Sequence, residues 1–287
     1  MKAEIFDPRV CALGEGLLWH PERRQIFWFD ILGKQLLSQR DGTPLSWTFD
    51  ENVSAAGWID HDTLLIASET ALFQFDLNTG TRTNLHALEA DTKITRSNDG
   101  RADPWGGFWI GTMGKNAEAS AGAIYRLYGG ELRKIIPDIT ISNAICFAPD
   151  SPHAYYTDTV LQEIMRVPLD PQTGWPNGPE SSFIDLMEDG INPDGAVTDA
   201  AGQLWVAQWG LGRVACYGPD GIAQSQIQVG GKQSSCPAFG GPDLRDLYVT
   251  TAAIGLSRDQ KELYPDSGKT FIVQGVTQGR PEPRVVL

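Results

Sequence analysis

The chain has 287 residues, with 36 acidic against 23 basic side chains and a formal net charge of −13. That balance excludes a phosphate-backbone binder, which needs a basic surplus to displace counterions, and no run approaches the roughly 18 apolar residues of a membrane helix. Hydrophobic residues at 41% and charged residues at 21% exclude a disordered or fibrous chain.

The N-terminus, MKAEIFDPRV, lacks the apolar core of a secretory signal, and Cys11, Cys146, Cys216 and Cys236 lie far apart with no CxxC pair. The expectation is a cytoplasmic protein with reduced thiols. Ala3–Phe6 (AEIF) reads as a lone strand. From His20 onward, one unit recurs six times: a polar turn followed by an apolar, aromatic run. The copies are HPERRQIFWFDI from His20, IDHDTLLIASE from Ile59, DPWGGFWIGTM from Asp103, PDSPHAYYTDT from Pro149, DAAGQLWVAQW from Asp199 and GPDLRDLYVTT from Gly241.

Aligned on Phe27, Leu65, Trp109, Tyr155, Trp205 and Tyr248, the copies are separated by 38, 44, 46, 50 and 43 residues. That is the length of a four-stranded propeller blade. Runs such as LWVAQW have no helical period, and their aromatic and β-branched residues suit strands. The repeat predicts an all-β, six-bladed β-propeller forming a single domain over residues 1–287. Thr270–Val276 supplies further strand material for blade six, and Ala3–Phe6 is expected to close the ring beside it.

In each copy the strand before the polar turn should be innermost. Counting back from the anchors, Glu15 and Asn143 lie 12 residues before theirs, and Asn98 and Asp194 lie 11 before theirs. The equivalents in blades two and six are Ser54 and Cys236. Two carboxylates and two amides are thus expected to converge at one channel mouth, where something cationic must join them. Oxygen-only donors suit a hard divalent cation. Single turns explain Pro193-Asp194-Gly195 or Asn98-Asp99-Gly100 taken alone, but turns need not share an offset from one strand.

Other motifs carry less. Gly210–Ala215 (GLGRVA) matches part of a dinucleotide fingerprint, but a strand follows it instead of a helix. Gly268-Lys269-Thr270 lacks the upstream glycine of a phosphate loop, and no G-x-S-x-G elbow occurs. His20, His61, His86 and His153 have no zinc spacing. The tryptophans of FWF, FWI and LWV are expected in the blade cores, with Trp19 and Trp209 nearer the channel.

Six segments resemble the gluconolactonase and senescence marker protein (regucalcin) family: Leu13–Ile31, Arg96–Gly114, Gly122–Leu127, Ile141–Asp150, Pro193–Val214 and Phe239–Ala252. The resemblance implies a six-bladed propeller that binds one divalent cation (Ca, Zn, Mn, Mg or Fe). It further implies a carboxylic ester hydrolase acting on a sugar lactone such as glucono-, xylono-, arabinono- or galactonolactone. It assigns the cation to Glu15, Asn143 and Asp194, and substrate contacts to Arg96 and Asn98; lactone hydrolysis by an activated water further gives Asp194 the expected role of catalytic base. A glutamate that binds substrate in some members falls on Asn116, with Glu118 two residues on. The family's usual SNG reads Ser142-Asn143-Ala144, so Ala144 must adopt a glycine's backbone geometry. The rival readings are a propeller phosphoesterase or organophosphate hydrolase, and a non-enzymatic calcium-binding propeller.

Overall fold

The computed structural model describes residue 1 and residues 3–287. Among these, 24 strands form six separate four-stranded antiparallel sheets. In each sheet the strand that precedes the anchor-bearing strand lies innermost, and neighbouring inner strands touch around a central axis. These inner strands are Gly14–His20, Val53–Trp58, Thr95–Ala102, Ser142–Phe147, Asn192–Thr198 and Gln233–Gly240. All six alignment anchors fall on the second strands. The protein is a six-bladed β-propeller, as the repeat predicts.

Alternate side chains of each strand point to opposite faces, and both faces of a blade are covered by neighbouring blades. Phe27 and Phe29 pack toward blade two with Leu64, Phe73 and Phe75, whereas Ile26 and Trp28 pack toward blade six with Ala238 and Tyr248. A sheet buried on both faces needs no polar alternation, so QIFWFD is apolar almost throughout. Trp28 and Trp109 are fully buried and Trp205 nearly so. All four cysteines are buried and free.

The last blade is built from both ends of the chain. Gln233–Gly240, Asp246–Ala252 and Thr270–Val273 are joined by Glu4–Asp7, with Glu4 opposite Ile272 and Ile5 opposite Phe271. The C-terminal strand stops at Val273, three residues short of the expected end. Gly275 turns the chain there at φ +65°, and its N–H donates to Asp246 Oδ1 at 3.0 Å. One α-helix, Arg258–Leu263, is inserted between the second and third strands of this blade, opened by a Ser257/Gln260 capping box.

Residues 274–287 form no strand. They cross beneath the propeller at the C-terminal ends of the inner strands. Gln278 O accepts from Ala200 N, Glu282 O from Trp58 Nε1, and Trp58 O from Val285 N, each at 2.9 Å. Glu282 also pairs with Arg101, and both are buried.

At the opposite end, carboxylates closing the second strands fix the loops that enter the inner strands. Asp30 accepts from the N–H groups of Ala12 and Leu13, both at 3.0 Å. Asp158 does the same for Thr140 at 2.8 Å and Ile141 at 2.9 Å. These loops deliver Glu15 and Asn143.

Candidate active site

In all six blades the pairing of inner and second strands skips once near the same end, immediately after Glu15, Val53, Ser97, Asn143, Pro193 and Ser234. Such irregularities re-aim side chains. Glu15 and Asn143 are the last paired residues before the skip, whereas Asn98 and Asp194 stand one residue past the last paired ones, Ser97 and Pro193. That step is the one-residue difference in the sequence offsets. Backbone strain concentrates here: Gly16 has φ +58°, and a Cβ on it would lie 2.1 Å from Ser54 O. Ala144 has φ +55°, the left-handed geometry that glycine would otherwise supply.

A pocket of about 400 Å³ opens at this level. Glu15, Arg96, Asn98, Asn116, Asn143 and Asp194 all line it. Ser54 and Cys236 do not. Ser54 is buried with its hydroxyl 2.8 Å from Ser97 Oγ, and Cys236 packs in the core between blades six and one. Glu118 also stays outside the pocket lining. Its carboxylate is engaged by Asn116, through Nδ2 to Oε1 and N to Oε2, both at 3.0 Å.

Two further sets line the pocket, of which the sequence assigns only Arg96 and places only Trp209 near the channel. Leu13, Arg96, Ile141 and Asn192 each stand two positions before Glu15, Asn98, Asn143 and Asp194, so strand periodicity puts them on the same side. Met113, Thr159 and Trp209 each stand four residues after an alignment anchor. The same repeat that locates the first set would have located both. Trp209 is thus a pocket residue, whereas Trp19 stacks on Tyr248 in the core at 6.1 Å between ring centroids.

Hydrogen bonds join the polar side chains in one chain. Arg96 Nη1 donates to Asn98 Oδ1 at 2.6 Å, and Asn98 Nδ2 donates to Ser142 O at 2.8 Å and Asn143 Oδ1 at 3.1 Å. Asn143 Nδ2 donates to Thr159 Oγ1 at 2.9 Å, and that hydroxyl donates to Pro193 O at 2.8 Å.

Glu15 and Asp194 are each only 4% exposed. Burial, with the Asp99 charge nearby, pushes the Glu15 carboxyl up to about 8. Burial, followed by Glu15 and Asp99, holds Asp194 well above the usual carboxylate range. Asp99, buried beside them and accepting from Ile145 N at 2.7 Å, is pushed up to about 6 by burial. Burial lowers Arg96 to about 10, against the pull of Glu15, Glu69 and Asp194. The ion pairs of the interior, Arg101 with Glu282 and Arg126 with Asp103, relieve neither Glu15 nor Asp194.

Glu15 and Asp194 lie buried with Asp99, and Arg101 is already paired with Glu282. Burial therefore holds the two carboxyls toward their protonated forms, and a divalent cation would let them ionise together. Among the described residues no group of three or more His, Cys, Asp or Glu side chains could hold a metal ion. A cation here would therefore need a third donor besides the two carboxylates, which the amide oxygens lining the pocket, among them that of Asn143, can supply.

Residues 13–253 match the family described as the SMP-30/Gluconolactonase/LRE-like region. An L-arabinolactonase of Azospirillum brasilense is 37% identical over 280 residues, covering 95% of this chain and 92% of the relative. A 6-deoxy-6-sulfogluconolactonase of Pseudomonas putida is 31% identical over 286 residues, covering 99% and 97%. The crystal structure of a calcium-binding protein, regucalcin, from Agrobacterium tumefaciens superposes with a TM-score of 0.96 at 41% identity, covering 99% of this chain and 97% of that one. A match over most of the chain, on the six-bladed scaffold and with the site at its axis, makes this protein a member of the SMP-30/gluconolactonase/LRE-like family.

Proposed function

We propose that the protein hydrolyses a sugar lactone to the sugar acid, with one divalent cation held by Glu15, Asn143 and Asp194. The observation that carries this reading is the pair of buried carboxyls, Glu15 and Asp194, outside every ion pair of the described residues, at a pocket that also offers directed hydrogen-bond donors. Water-excluded carboxylates in excess are costly unless a cation joins them. When bound, a divalent cation supplies Lewis-acid polarisation of the ester carbonyl and acidifies water. The relatives named as lactonases support the same reaction class.

The protein's own residues divide the remaining work. Arg96 can only donate, and with Asn98 it offers donors in fixed directions to ring hydroxyls or the ring oxygen. Asn116, at the pocket's exposed edge, faces the outer part of the substrate. Asp194, at the pocket wall beside the cation it would hold, takes the proton that attacking water gives up. The ester C–O bond then breaks, and the ring oxygen leaves with a proton as the hydroxyl of the open acid.

The test is a panel of pentono- and hexonolactones assayed on chelator-treated protein, with and without added Ca²⁺, Mn²⁺ or Zn²⁺, beside a phosphotriester. Cation-dependent turnover of a lactone that Asp194→Ala abolishes, with the fold intact by circular dichroism, is the expected result. Turnover of the phosphotriester alone, or full lactonase activity in Asp194→Ala, would overturn the assignment.

A further inference from the structure

Resting on that reading of the site, we infer that Thr159 is a positioning residue: its hydroxyl fixes which way the Asn143 amide faces and ties Asn143 to the main chain beside Asp194. Thr159 opens the short 3-10 turn Thr159–Leu161, just after the second strand of blade four. Its side chain bridges two neighbouring blades, with Asn143 in blade four on one side and Pro193 in blade five on the other.

The polarity of this bridge follows from its two ends. A guanidinium can only donate, so the oxygen of Asn98 must face Arg96. The nitrogen of Asn98 then points at Ser142 O and at Asn143. At the far end a peptide carbonyl can only accept, so the Thr159 hydroxyl spends its one proton on Pro193 O. Its oxygen is then an acceptor, and the amide group of Asn143 facing it must be the nitrogen. Both ends demand the same orientation: Asn143 Oδ1 accepts from Asn98 and keeps its second lone pair for the pocket. An amide rotated by half a turn would set two N–H donors against each other at Asn98 and two acceptors at Thr159.

Thr159 also holds the backbone that aims Asp194. Pro193 has no N–H, so its carbonyl is the main-chain handle nearest the skipped pairing at Asp194-Gly195. Three residues on, Gln162 Nε2 donates to Asn192 Oδ1 at 2.9 Å, a second tie from the same blade-four turn to the segment before Asp194. One threonine hydroxyl thus serves two of the three proposed ligands, which lie 51 positions apart in the sequence.

The test compares three variants on chelator-treated protein by calorimetric titration with Ca²⁺ and Mn²⁺. Thr159→Val keeps the shape but can neither accept nor donate, and should weaken cation affinity at least tenfold. Thr159→Ser restores the hydroxyl and should bind within threefold of the parent. Thr198→Val is the control for lost stability. It removes a buried threonine bond between the same two blades, Thr198 Oγ1 to Phe147 O at 2.7 Å, at the opposite end of the inner strands, and should leave affinity unchanged whatever it does to the melting temperature. On a lactone substrate Thr159→Val should lose kcat at saturating substrate far more than it raises KM. Unchanged cation affinity in Thr159→Val, an equal loss in Thr198→Val, failure of serine to rescue, or a parent protein that binds neither cation would each overturn the inference. A parent that binds the cation but opens no lactone would sink the activity reading alone. The tenfold loss in Thr159→Val would then still establish the positioning role.

Discussion

Arg96 shows how much a neighbour changes a residue's expected behaviour. A rim carboxylate such as Asp99 or Asp103 is the partner that would make it structural. Asp103 instead takes Arg126 at 2.7 Å, Asp99 accepts from Ile145 N, and the Arg96 guanidinium turns into the pocket onto Asn98. Replacing it by alanine should lower kcat/KM on lactones by roughly 10- to 100-fold, the cost of losing a charged hydrogen bond. Because Arg96 faces Glu15 and Asp194, the variant should bind a cation at least as tightly as the parent. Steady-state kinetics and a cation titration on the one variant check both. Unchanged kinetics would remove Arg96 from the substrate site.

The raised carboxyls set a pH dependence whose sign is fixed. Glu15 titrates near its ordinary 4.5 when unfolded and at about 8 in the folded, cation-free chain. The folded state therefore binds more protons between those values. The resulting stability is full below about 4.5 and is lost as the pH rises to about 8. Melting of chelator-treated protein across that range should show a decline, which added cation flattens and Glu15→Gln reduces, the raised carboxyls of Asp194 and Asp99 supplying the rest. A decline of equal size in Glu15→Gln would place its origin elsewhere.

At the scale of the element, the skipped pairing in each inner strand makes the site. A regular ladder would carry the strand past the mouth with Asn98 and Asp194 aimed elsewhere, because a one-residue change of register reverses every side chain. The cost of that geometry is visible at Ala144, which holds φ +55° in a wholly buried strand. Ala144→Gly should relieve the strain and raise unfolding stability by about 1 kcal/mol, with the metal and substrate constants unchanged. Chemical denaturation measures it, and a loss of stability would mean that packing of the methyl group outweighs the strain. The inner strands are otherwise held as firmly as any in the molecule, since each is buried on both faces.

For the molecule as a whole, the two chain ends do different jobs. Glu4–Asp7 closes the ring and covers the edge of the last blade. The C-terminal segment ties blades at the far end of the channel, and its Glu282 neutralises Arg101. Arg101 Nη2 also reaches Ala196 O at 3.3 Å, two residues beyond Asp194. Glu282→Ala would leave a buried guanidinium without its partner and should cost about 3–5 kcal/mol of stability, while Glu282→Gln should cost less. Thermal and urea unfolding of the two variants check the order. An alanine variant as stable as the parent would show that the tail is dispensable.

Blade number, ring closure and four of the pocket's polar residues were legible because they rest on repetition. Six copies of one turn-and-strand unit carry the same offset, and periodicity needs no knowledge of distance. The sequence by itself determined that Glu15, Asn98, Asn143 and Asp194 share a level. It also showed that Ala144 would have to tolerate a glycine's backbone, and that the core tryptophans belong between blades. What only the tertiary structure decided is how groups from different blades meet. No spacing in the sequence says that Thr159 would touch both Asn143 and Pro193, that Asn116 would line the pocket while Glu118 served it from outside, or that Glu282 would cross the base to Arg101. These contacts depend on the rotation between neighbouring blades and on the path of a tail without regular structure. Both are set by side-chain packing over the whole ring, not by the pattern along any one strand.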